Sequence, residues 1–141
     1  MQRIIAPLVL IALLAGCSTS AVPVDKAKQA STRNVYSYQE APATPYGTLT
    51  VVRDSGFVSS GCDMGIYVDG RLVAKLATKE KATFKIPAGN IVLGAGVIGG
   101  GLCGTAADRR EREVSLGAGQ VKKYRAFISS EADVDILPTT L

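Results

Sequence analysis

Histidine is absent from the 141 residues of this chain. The absence excludes serine–histidine and cysteine–histidine catalysis, because the base that would activate the nucleophile is missing. It also removes the residue that completes many zinc sites, so we expect no metal and no cofactor. A Ser-x-x-Lys motif in a suitable context is missing as well. We therefore predict that the protein is not an enzyme.

A strong excess of charge of one sign is also absent. The chain carries 16 Lys and Arg residues against 12 Asp and Glu residues, a net charge of +4. Removal of residues 1–16, which have the pattern of a cleaved signal, takes away Arg3 and leaves a net charge of +3. So mild a charge does not favour a nucleic-acid partner, although it is compatible with an anionic neighbour such as lipid phosphate.

Long apolar runs are missing too, except for residues 4–14. This run follows Arg3, is interrupted only by Pro7, and is much shorter than the ~20 residues that a membrane-spanning helix needs. A basic start and a short apolar run that ends in small residues are typical of a secretory signal. We therefore assign residues 1–16 to a signal peptide.

The end of this run, Leu14-Ala15-Gly16-Cys17, resembles the lipobox of bacterial lipoproteins. The resemblance implies that a diacylglyceryl group alkylates the Cys17 thiol, that cleavage follows Gly16, and that acyl chains such as palmitate anchor the protein. Two or three such chains hold stably, since each buried methylene contributes ~0.8 kcal/mol. In lipoproteins, Asp after the modified cysteine favours retention in the inner membrane. This chain has Ser18 there, so the resemblance implies transfer to the outer membrane, with the domain in the periplasm. The alternative is an ordinary signal peptide, or a short uncleaved anchor, with an incidental cysteine.

The two remaining cysteines, Cys62 and Cys103, would lie in an oxidising compartment, so we expect a disulfide between them. By closing a loop of about 40 residues, it would contribute roughly 3–4 kcal/mol to stability on the chain-entropy estimate. The alternatives are two unpaired thiols or a metal pair that no histidine completes.

Residues 17–45 are predicted to be the lipidated N-terminus and a flexible tether, because their polar and small side chains show no apolar periodicity. Such a coil would reach about 30 Å from the membrane. Within it, residues 35–38 could pack back on the domain or bind a partner, and a loosely ordered linker is the favoured interpretation.

Residues 46–141 carry short strand patterns separated by turn signals. Asp69-Gly70 predicts a type I′ hairpin, because both central residues of this turn need positive φ. A second hairpin is predicted across residues 117–119. Seven or eight strands without a convincing amphipathic helix predict an all-β fold, a small antiparallel β-sandwich. The predicted strands are 48–53, 64–69, 71–76, 82–86, 90–98, 112–116, 120–129 and 134–137.

Three segments, 66–73, 84–89 and 116–124, resemble the small sandwich domains of PEGA-like and related bacterial lipoproteins. That group has a V-D-G hairpin, then a P-G turn, then a late strand with a tyrosine. The chain departs from the pattern at its turn, Pro87-Ala88-Gly89. The resemblance implies a non-enzymatic module displayed at a surface, and no catalytic residue is carried over with it.

Residues 94–99 spell G-x-G-x-x-G, the pattern of dinucleotide sites. Such a site needs the third glycine to open a helix at the pyrophosphate, whereas residues 100–104 are too rich in glycine to nucleate one. We interpret the segment as a strand with close backbone packing that leads into a loop at the disulfide. The carboxylate pairs Asp63/Asp69 and Asp133/Asp135 are interpreted as solvated surface charges.

The densest charge cluster, residues 108–113, holds Arg109, Arg110 and Arg112. Arginine forks match phosphate oxygens, so these three residues are candidates for contact with an anion or an acidic partner. The favoured alternative is a solvated strand edge whose charges block aggregation.

We therefore expect a non-enzymatic outer-membrane lipoprotein whose sandwich binds another envelope component, protein or glycan, through its loops. A first alternative is a structural accessory subunit of an envelope or secretion machine, as some transthyretin-like lipoproteins are. A second, disfavoured by the lack of histidine and of an organised acid/base set, is an enzyme that acts on the cell wall.

Overall fold

The computed structural model describes residues 19–56, 59, 61–105 and 107–141. The predicted signal peptide and the predicted lipidation at Cys17 lie outside the described residues. Two short 3-10 helices and nine strands occur within them, and none of these helices has the length and apolarity needed to span a bilayer. The strands are β1 Lys28–Gln29, β2 Tyr46–Arg53, β3 Asp63–Val68, β4 Arg71–Leu76, β5 Glu80–Pro87, β6 Gly89–Ile98, β7 Arg110–Leu116, β8 Val121–Ile128 and β9 Val134–Pro138.

The strands form two sheets that pack face to face. One sheet has the order β1-β5-β2-β8-β9, and the other has the order β4-β3-β6-β7. The predicted all-β sandwich is confirmed, and strands β2 to β9 correspond to the eight predicted strand patterns. Most ladders are antiparallel, but β1 pairs with β5 and β2 pairs with β8 in parallel, which the alternation pattern did not predict.

The core lies between the sheets and follows the alternation of apolar side chains along the strands. Phe84 and Leu49 of one sheet and Ile66 and Leu93 of the other are fully buried. Full burial of each such side chain contributes ~1.5–3 kcal/mol relative to exposure. The inward faces of the two sheets therefore supply most of the driving force for folding.

The two predicted hairpins have different outcomes. Asp69 and Gly70 both have positive φ, 49° and 78°, and they join β3 to β4 as predicted. The hairpin across residues 117–119 is wrong, because β7 pairs with β6 whereas β8 pairs with β2 and β9. That turn carries the chain from one sheet to the other, and apolar alternation looks the same whether two strands pair or face each other.

Residues 19–45 differ from the predicted flexible tether. Ala27, Ala30 and Val35 are buried, β1 adds to the edge of β5, and the backbone N–H of Tyr36 donates to the Val73 carbonyl at 2.9 Å. The sheet edges at β4 and β5 offer unpaired backbone groups. Main-chain hydrogen bonds and single small side chains therefore hold this segment without the apolar periodicity that the sequence prediction required.

A buried charge introduced at Ala30 tests this packing. The Ala30→Asp variant should lose about 3 kcal/mol of unfolding free energy, because it places an unpaired carboxylate in the core. Urea denaturation followed by circular dichroism measures the loss. Gln29→Asp is the matched control, because Gln29 is exposed and its replacement should leave stability unchanged. Equal stability of the two variants would show that the segment does not pack.

Candidate functional site

One end of the sandwich, which we call the loop end, is where β2, β6 and β8 finish and β3, β7 and β9 begin. Asp63, the first residue of β3, pairs there with Ile98, the last residue of β6. A cleft of about 710 Å³ opens at this end. Its lining combines apolar residues (Val97, Ile128, Val134) with charged ones (Asp108, Arg110, Asp133). Binding sites combine apolar surface with a few polar groups, and this cleft offers both kinds of group.

The predicted disulfide is present at the loop end, where it joins Cys62, just before β3, to Cys103 in the 3-10 helix Gly101–Cys103. Gly99 precedes this helix with a φ of 146°, and a Cβ atom there would lie 3.0 Å from the Cys103 Cβ. Residues 94–98 belong to β6. The G-x-G-x-x-G pattern therefore marks a strand that leads into the disulfide-linked loop, as predicted.

Arg53, the last residue of β2, organises the connection that contains Cys62. Its side chain is buried, with 3 % exposure, and its guanidinium donates to the carbonyls of Ser59, Cys62 and Leu76 at 2.8, 2.5 and 2.8 Å. Burial lowers the pKa of Arg53, while the nearby carboxylates act in the opposite direction. Sequence reasoning missed this role, because a charge that ends an apolar strand looks the same whether it is solvated or buried.

The next residue, Asp54, is buried with its carboxylate facing a different set of partners. Its side chain is fully buried and accepts hydrogen bonds from both Nε and Nη2 of Arg125. The Arg125 guanidinium also lies 4.3 Å from the centroid of the Phe127 ring. A buried carboxylate needs such pairing, because desolvation strongly disfavours an isolated charge.

The same carboxylate holds the first described residues of the chain. The Thr19 hydroxyl donates to Asp54 Oδ2 at 3.1 Å, and the Thr19 N–H donates to the Ile128 carbonyl at 3.2 Å. Ser20 and Ser55 exchange two backbone hydrogen bonds of 2.7 and 3.0 Å. We call the contacts among these five residues the N-terminal clasp. They place Thr19 at the loop end of the sandwich.

The three candidate arginines have separate environments. Arg112 donates to both carboxylate oxygens of Asp135 and to the Ile136 carbonyl, each at 2.8 Å, so that its donors tie β7 to β9. Arg109 donates to Glu111 at 2.8 Å and lies 4.8 Å from the Tyr67 ring centroid. Arg110 lines the cleft and takes part in no ion pair within the described part of the chain.

The two carboxylate pairs considered above, Asp63/Asp69 and Asp133/Asp135, do not form acid/base pairs. Asp63 and Asp69 lie at the two ends of β3, and Asp69 accepts a hydrogen bond from the Val92 N–H at 2.8 Å. Asp135 is bound by Arg112, whereas Asp133 lines the cleft. Across the residues with described positions, no group of three or more metal-ligating side chains occurs.

Replacing the buried carboxylate tests the clasp. Asp54→Asn should lower the unfolding free energy by about 3 kcal/mol, because the half-buried Arg125 guanidinium loses its counter-ion. The Ser20 amide should also exchange faster with deuterium. Asp25→Asn is the control, because its pair with Lys26 is 72–75 % exposed and should contribute less than about 1 kcal/mol. Unchanged exchange at Ser20 in the Asp54 variant would contradict the clasp.

Two arginine variants distinguish a side chain that stabilises the fold from one that is available to bind a partner. Arg112→Ala should lower the unfolding free energy by about 1 kcal/mol, a modest value because the pair with Asp135 is partly exposed. Arg110→Ala should change stability by less than about 0.5 kcal/mol. Thermal and urea denaturation of both variants measure the difference. A larger loss for Arg110 would mean that the fold already uses its guanidinium.

Comparison of the chain with protein-family models, with curated protein sequences and with solved structures finds no match. The resemblance to PEGA-like domains therefore stays a prediction.

Proposed function

We propose that this protein is a non-enzymatic lipoprotein of the outer membrane, whose β-sandwich lies in the periplasm and binds another envelope component through the loop end. The observation that carries the proposal is the lipobox-like sequence Leu14-Ala15-Gly16-Cys17, which ends two residues before Thr19, the first residue that the structure describes. A lipidated cysteine in this position would join the domain to a membrane.

The construction of the loop end supports a binding role. Three residues of the cleft lining are held in place: the disulfide holds Cys103, the Arg53 guanidinium binds the Ser59 carbonyl, and the clasp binds the Ile128 carbonyl. Binding sites benefit from such support, because a preformed surface loses less conformational entropy when a partner arrives. Arg110 and Asp133 in the lining supply polar groups that can orient the bound component.

Two of the carboxylates have structural partners. The 141-residue sequence has no histidine, so acid/base chemistry would fall to carboxylates, lysines or tyrosines. Asp54 forms an ion pair with Arg125 and accepts a hydrogen bond from Thr19, and Asp135 forms an ion pair with Arg112. These two side chains hold elements together, which is a structural use of their charge.

Metabolic labelling tests the anchor. Cells that express the natural protein in the presence of labelled palmitate should yield a labelled protein in the outer-membrane fraction, whereas Cys17→Ser should yield an unlabelled precursor of full length. Ser18→Ala is the control, because it leaves the modified cysteine in place and should keep the label. Label on the Cys17 variant, or none on the natural protein, would contradict the proposal.

A further inference from the structure

We infer that the loop end of the sandwich lies against the lipid surface that holds the acyl chains of Cys17, so that this surface is the envelope component that the loop end contacts. The inference rests on the proposed lipidation of Cys17 and names the partner of the same site. It also assigns the opposite end of the sandwich to the periplasmic space.

Chain geometry gives the first argument. The clasp fixes Thr19 at the loop end, and Cys17 precedes Thr19 by two residues. An extended chain spans at most ~3.6 Å per residue, so a group bound to the residue two positions before Thr19 can be separated from it by only about 7 Å of backbone. A flexible tether over residues 17–45 would have allowed about 30 Å. Because residues 19–45 pack on the domain, that reach is not available, and the loop end stays beside the acyl chains.

The loop that follows β6 gives the second argument. Leu102 lies in the 3-10 helix Gly101–Cys103, and its relative exposure of 106 % is the highest among the exposed large apolar side chains of the described residues. Its neighbour Cys103 is held by the disulfide, so the loop that carries Leu102 is fastened to the domain. Interfacial proteins bind membranes by burying such apolar side chains at the boundary between headgroups and acyl chains.

The charges at this end indicate what kind of lipid surface it fits. Arg109 and Arg110 lie in the cleft lining together with Asp108 and Asp133, so the two signs are balanced there. A surface that carries charges of both signs does not need anionic lipid for membrane contact, and salt should affect that contact only weakly. A guanidinium such as that of Arg110 can bind the phosphate of a zwitterionic headgroup. We therefore expect contact with phosphatidylcholine as well as with anionic lipid.

The far end of the sandwich provides an internal reference. The connections at residues 87–89 and 117–119 lie there, beside the beginning of β2. Strand β6 runs between the two ends over 10 residues, which corresponds to about 33 Å at ~3.3 Å per residue. A reporter at residue 118 should therefore stand well away from a bilayer that touches the loop end.

Tryptophan fluorescence can test this orientation, because the natural chain has no Trp. The lipidated protein is reconstituted in phosphatidylcholine vesicles that contain lipids brominated on their acyl chains. Trp introduced as Leu102→Trp should lose much of its emission and shift to shorter wavelength, since its ring enters the interface. Ser130→Trp reports on the same end with Leu102 intact and should also be quenched. Ala118→Trp, at the far end, should keep its emission.

Two further measurements separate the outcomes. Intact mass shows whether Cys17 carries the acyl chains. An unlipidated protein that does not associate with vesicles would refute the proposed function. A lipidated, vesicle-bound protein whose residues 102 and 130 are quenched no more than residue 118 would overturn the orientation alone. Loss of quenching at 0.5 M salt would contradict the expectation that membrane contact depends only weakly on salt.

Discussion

The buried carboxylate of Asp54 is the interaction on which the arrangement of the loop end depends. This carboxylate forms an ion pair with Arg125 of β8 and accepts a hydrogen bond from the Thr19 hydroxyl. Asp54 directly follows Arg53 in the sequence. Neighbouring residues at the end of a strand point to opposite sides, so these two buried charges reach different partners. Arg53 holds the connection to β3, and Asp54 holds Thr19. Since burial of an unpaired charge is so unfavourable, both arrangements must form together with the fold.

Much of the fold could be predicted because alternation and turn residues are local signals. Strands β2 to β9, the Asp69-Gly70 hairpin and the Cys62–Cys103 pair all follow from short patterns or from a count of cysteines. The sheet to which β8 belongs does not follow, because a period of two shows which face is buried but not which neighbour supplies hydrogen bonds. Packing of residues 35–38 on the domain was one of the alternatives that the sequence left open, but the packing of residues 19–34 was missed for a related reason. Its stabilising partners are backbone groups on edges that only the folded sheets create.

The candidate site was predicted less completely. The three candidate arginines do not share one environment. Arg112 joins β7 to β9, whereas Arg109 and Arg110 line the cleft, Arg109 beside the Tyr67 ring. Spacing in a sequence cannot distinguish these uses, because each depends on residues far along the chain, such as Asp135 and Tyr67. Arg53 and Asp54 gave no sequence signal at all. Their importance comes from burial, which composition does not record for single charged residues.

The path of residues 19–45 has a mechanical consequence. The segment starts at the loop end, where Thr19 is held, and enters β2 at the far end, so it runs along the side of the domain. A force that pulls Thr19 away from the loop end would act along the strands and load the clasp and the β1–β5 pair in shear. Shear strains several hydrogen bonds at once, whereas peeling breaks them in succession. The segment would therefore resist tension that is applied at Thr19.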